Sequence, residues 1–122
     1  MDLNEFATKK AEYVIAMHTA NDSIRDYAQK EQESIDELIK INEKMELIEV
    51  LATNKIVTQL EGEKLKYTND TQRKSALFVA LQEHGEYQDL KNKKRELGRS
   101  MGLAKIEKEY LERKLKIMEK IF

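Results

Sequence analysis

The residues of this chain that could do chemistry are two histidines, a scatter of carboxylates and a concentration of lysine and arginine in the last third of the sequence. His18 has Asp22 one helical turn later, which would supply half of a metal site but is more simply read as a plain helix surface. His84 precedes Gly85 and is expected at a helix C-terminus, where an imidazole meets the exposed carbonyls favourably. Carboxylate pairs such as Glu31 with Glu33 and Glu61 with Glu63 would need a desolvated pocket to act as acid and base, and slender helices offer little interior. The chain has no cysteine, so neither a disulfide framework nor thiolate chemistry is available. Gly62, Gly85, Gly98 and Gly102 never fall into a phosphate-loop or dinucleotide spacing. The expectation is a protein that is not an enzyme and that uses no metal and no cofactor.

The best candidate site is the basic run Lys91, Lys93, Lys94, Arg95 and Arg99, continued by Lys105, Arg113, Lys114, Lys116 and Lys120. Net charge is only −1, but residues 1–60 hold seven Lys and Arg against twelve Asp and Glu, and residues 61–122 hold fifteen against eleven. Cations at this density can neutralise several phosphates. Arg73 and Lys74 add positive charge near Tyr67. Two other roles suit the same residues. They can oppose Glu31, Glu33, Asp36, Glu37, Glu43, Glu46 and Glu49 and so fix antiparallel helix pairing, or they can meet an acidic protein partner.

The elements that must position these residues are helices. With no proline, four glycines, 37% charged and 40% hydrophobic residues, the composition suits long solvated helices. Leu3, Phe6, Lys10, Tyr13, Met17, Ala20, Ile24, Tyr27, Glu31, Ser34, Leu38, Ile41, Met45, Ile48 and Ala52 follow in unbroken steps of three and four, predicting one long helix over about residues 2–53. Val14, Ile15, Ile35, Ile39, Leu47 and Leu51 widen its apolar stripe beyond what one partner helix covers, which predicts a homo-oligomer. Tyr87, Leu90, Lys94, Leu97, Met101, Ala104, Lys108, Leu111, Leu115, Met118 and Phe122 repeat the pattern, flanked by Ile106, Tyr110, Ile117 and Ile121, and predict a second long helix over 86–122. Asn69 with Gln72 reads as a capping box opening a short helix over 70–84, which Gly85 would end as a left-handed cap. Between them, residues 54–69 form a tip in which β-branched residues around Glu61-Gly62 allow a small β-hairpin within 55–68, the alternative being a frayed helix and a loop. Gly98 and Gly102, four apart, suggest a face where another backbone packs closely.

The segment Leu65-Lys-Tyr-Thr-Asn-Asp-Thr-Gln-Arg73, then Leu81, Glu86-Tyr-Gln-Asp-Leu90 and the heptads ending in Glu109-Tyr-Leu-Glu-Arg113 resembles a group of small coiled-coil proteins from phages and prophages of Gram-positive bacteria. The likeness covers about residues 40–122. Its carrying positions are Lys66, Tyr67, Asn69 and Arg73, whose structural role would be to fix the turn and cap the short helix. Glu83-His84-Gly85 departs from the acidic pair usual before the Glu-Tyr start. The resemblance implies a companion of phage recombination and single-strand-binding genes.

The predicted architecture is therefore all-α: a single helical domain over residues 1–122, an elongated antiparallel helical hairpin or three-helix coiled-coil bundle. No run of about 18 apolar residues occurs and the start lacks the basic-then-apolar order of a signal peptide, so no membrane is expected and the location is cytoplasmic. The function expected first is a non-enzymatic accessory factor in phage DNA recombination or replication, contacting nucleic acid or a recombination protein. An inhibitor or adaptor on a host nuclease or defence complex, in the manner of an anti-CRISPR, and a purely architectural oligomerisation module are the alternatives.

Overall fold

The computed structural model describes residues 2–121, and the chain is all-α apart from one short hairpin. Its elements are α1 (Leu3–Thr58), β1 (Leu60–Glu61), β2 (Lys64–Leu65), α2 (Asp70–Glu83) and α3 (Gly85–Ile121). The described residues fall into two compact units. A central unit is Asp36–Leu97, and a terminal unit joins the described residues up to Ile35 with those from Gly98 onward.

In the central unit, the heptad seam becomes a small core. Ile41, Met45 and Leu90 are buried, with Ile48, Tyr87 and Leu97 packed around them. These are seam positions of α1 and α3, gathered into one cluster. The Tyr87 hydroxyl donates to Glu49 Oε1 at 2.6 Å and ties the same two helices. Beyond this core α1 runs to Thr58 instead of ending near residue 53. Ile56 is buried under α2 side chains, and the Thr58 hydroxyl donates to the Asn54 carbonyl at 2.7 Å. Packing thus overrides the modest helix propensity of the β-branched Ile56-Val57-Thr58 run.

The tip is the hairpin alternative, narrower than the 55–68 window. β1 and β2 pair antiparallel with Leu60 opposite Leu65 and Glu61 opposite Lys64, and the Lys66 N–H donating to the Gln59 carbonyl at 2.9 Å extends the ladder. The loop is Gly62-Glu63, and Gly62 has φ +65° while no non-glycine residue has positive φ. A positive φ at the first of two loop residues alone is the type II′ arrangement, which needs glycine there and matches the strand twist.

Asn69 caps α2 as its type and spacing predict: its Oδ1 accepts the Gln72 N–H at 2.9 Å. Gln72 Oε1 returns a bond to Thr68, accepting from its N–H at 3.0 Å, so the reciprocal half of the box lies one residue upstream of Asn69. The α2–α3 junction corrects the expectation for Gly85. It has no positive φ and is the first residue of α3, and the chain turns instead at His84, whose φ of −81° and ψ of 106° are extended. His84 Nδ1 accepts the Tyr87 N–H at 3.1 Å, so this residue opens α3 rather than only meeting the end of α2. Gln88 Nε2 donates to the Leu81 carbonyl at 2.9 Å and links the two helices across the turn.

In the terminal unit, the seam pattern continues with partial burial. Tyr13, Met17, Ala20, Ile24 and Tyr27 of α1 and Met101, Ala104, Leu111 and Met118 of α3 are half-buried, and Leu115 is buried. Leu3 and Phe6 hold the spacing but are exposed. Gly98 and Gly102 correct a second expectation, since a Cβ added at either would meet nothing within 4 Å. No backbone packs closely there. The seam residue Phe122 lies outside the described residues.

Candidate functional site

Lys91, Lys93, Lys94 and Arg95 stand on the first turns of α3 in the central unit, and all four side chains are exposed. Among the described residues, no carboxylate lies within the 4.0 Å of an ion pair from any of the four. Two ion pairs, Arg73 with Asp70 at 3.6 Å and Arg113 with Glu109 at 4.0 Å, stay within single helices. Glu49, one of the seven acidic positions singled out on α1, accepts a hydrogen bond from Tyr87 of α3. Arg99 is exposed in the terminal unit.

The second predicted group is dispersed by the fold. Lys66 is exposed with its Nζ 5.4 Å from the centre of the Tyr67 ring, a cation–π distance, and Tyr67 itself is half-buried against α2. Arg73 is half-buried, its Nε enclosed without a hydrogen-bond partner and its Nη1 toward Asp70. With Lys74 it lines a pocket of about 250 Å³ beside Ile56, Val57 and Leu77 that includes no residue of the 91–99 run. Asn69 is committed to capping and Gly85 to the start of α3, so of this group Lys66 and Lys74 keep solvated charges.

A larger groove of about 530 Å³ runs between α1 and α2, floored by Ile48, Ala52, Ile56 and Ala80 and edged by Tyr67 and His84. It holds no acid–base pair within hydrogen-bond reach. The Tyr87 phenol is pushed up to about 12 by the bond to Glu49, then by burial, then by the Glu49 charge. A phenol so disposed is a firm donor and a poor base. Among the described residues no group of three or more His, Asp or Glu is placed to hold a metal ion, and no helix is long and apolar enough to cross a membrane.

Sequence reasoning missed the Tyr87–Glu49 hydrogen bond, for which the seam spacing alone gives no signal. The chain matches no family model, no curated protein and no solved structure.

Proposed function

We propose that this chain is a non-catalytic accessory factor, of the kind the likeness to phage coiled-coil proteins implies, that contacts nucleic acid through Lys91, Lys93, Lys94 and Arg95. One observation carries the reading: four exposed cations within five residues have, among the described residues, no carboxylate at ion-pair distance. Had the fold spent them on the acidic face of α1, they would be structural. Over residues 36–97, eleven Lys and Arg stand against twelve Asp and Glu. Long-range attraction is therefore small, and contact is local, limited to a few phosphates and sensitive to salt.

A protein partner is the second reading, favoured by Leu47, Val50 and Leu51 of α1 and Phe78 and Val79 of α2, all exposed in the central unit. The test replaces Lys91, Lys93, Lys94 and Arg95 together by Gln. On the first reading, the variant loses oligonucleotide binding and keeps the parent's melting temperature. A fall in melting temperature would return these cations to a structural role, and a parent that binds no oligonucleotide at low salt would leave the protein partner.

A further inference from the structure

α3 carries a second apolar stripe that the fold of one chain does not use. Leu103, Ile106, Tyr110 and Ile117, with Ile121 beside them, are between 57% and 69% exposed. Leu103, Ile106, Tyr110, Arg113, Ile117 and Lys120 follow in steps of three, four, three, four and three. This is a heptad seam of its own, turned roughly 160° around the helix from the one formed by Met101, Ala104, Leu111, Leu115 and Met118. Sequence reading counted Ile106, Tyr110, Ile117 and Ile121 as flanks of the inner seam. Their exposure shows that they face away from it.

We infer that this outer stripe of α3 is a self-association surface, docking antiparallel on the same stripe of a second copy. The charges beside the stripe are self-complementary in that orientation. Antiparallel packing puts Ile106 of one copy against Ile117 of the other and Tyr110 against Arg113. It also brings Glu107 opposite Lys114 on one flank and Glu109 opposite Lys116 on the other, and the two-fold axis repeats each pair. A parallel pairing would stack Arg113 on Arg113 and Lys120 on Lys120 inside the seam. The area available is ample. A folded monomer of 14.3 kDa exposes roughly 6,800 Å², whereas this chain exposes 9654 Å². The excess is larger than the ~800 Å² that each partner of a standard interface covers. The stripe is separate in sequence from Lys91–Arg95, so this inference and the nucleic-acid reading stand or fall independently.

The experiment is sedimentation equilibrium of the full chain at micromolar concentration, with circular dichroism on every variant to verify helicity. The parent is expected as a dimer and the Ile106→Glu, Ile117→Glu variant as a helical monomer. A pair of charge variants then tests the flanks. Glu107→Lys with Glu109→Lys, and separately Lys114→Glu with Lys116→Glu, should each weaken self-association at least tenfold, and an equimolar mixture of the two should restore a dimer. Orientation follows from a spin label at Ser100→Cys in a chain that has no other cysteine. Antiparallel docking separates the two labelled backbones by roughly 35 Å, against ~10 Å for parallel. A monomeric parent, a dimer that survives the Ile106→Glu, Ile117→Glu change, a mixture that fails to reassociate, or the short label distance would each overturn the inference.

Discussion

Tyr87→Phe isolates a hydrogen bond that ties α1 to α3 at the small central core. The ring stays, so packing against Ile41, Met45 and Leu90 is retained, and the loss is the 2.6 Å bond from the hydroxyl to Glu49. A hydrogen bond to a charged acceptor contributes about 1.5–3 kcal/mol, and partial exposure of both residues brings the expected cost to about 1–2 kcal/mol. For a chain of this size, that is a drop in melting temperature of roughly 4–8 °C. The assay is thermal melting by circular dichroism at fixed protein concentration, run as a double-mutant cycle with Glu49→Gln. A pH arm has a definite sign. Folded Tyr87 titrates at about 12 instead of 10.0, because of the Glu49 bond first and burial and the Glu49 charge after it. Below the unfolded value both states keep the phenol proton and the contribution is complete. As pH rises from there toward the folded value, the unfolded chain loses its proton first, and the contribution is lost. A Tyr87→Phe chain that melts within 1 °C of the parent, with a coupling below about 0.3 kcal/mol, would refute the argument.

Further outcomes follow from the corrected glycines and the helix cap. Gly98→Ala and Gly102→Ala should each stabilise the chain by about 0.5–1 kcal/mol, since both sit in α3 with open space at the Cβ position; denaturant melts that show a loss would mean an unseen close contact. Asn69→Ala should cost about 1 kcal/mol by orphaning the Gln72 N–H, and hydrogen exchange should show the first turn of α2 opening more readily.

Much of the fold was legible because its long elements obey one rule. From Tyr13 to Ala52, and again from Tyr87 to Met118, most of the buried and partly buried positions lie on the three-four spacing, which needs no knowledge of tertiary structure. What the spacing could not say is which seam positions find a partner. Leu3 and Phe6 keep the pattern and are nonetheless exposed. The end of α1 was hidden for the opposite reason, since Ile56 is helical because α2 covers it. Gly85 was misread because glycine is frequent at helix C-termini, whereas here His84 makes the turn with an extended backbone and a side-chain bond. Of the candidate site, the exposure of Lys91, Lys93, Lys94 and Arg95 follows from their charge. That no described carboxylate pairs with them was not legible, because segment-wise charge counting pointed the other way by placing an acidic helix beside a basic one.

The central functional claim is tested most directly by fluorescence anisotropy of a labelled single-stranded oligonucleotide titrated with the full chain between 50 and 200 mM salt. Neutralising four phosphates on a single strand gives a log–log slope of about −2.8, a fall in affinity of roughly 50-fold over that range. The account predicts that slope for the parent and its disappearance when Lys91, Lys93, Lys94 and Arg95 are all replaced by Gln. Absence of binding at 50 mM salt, or an affinity unchanged by those four substitutions, would contradict it.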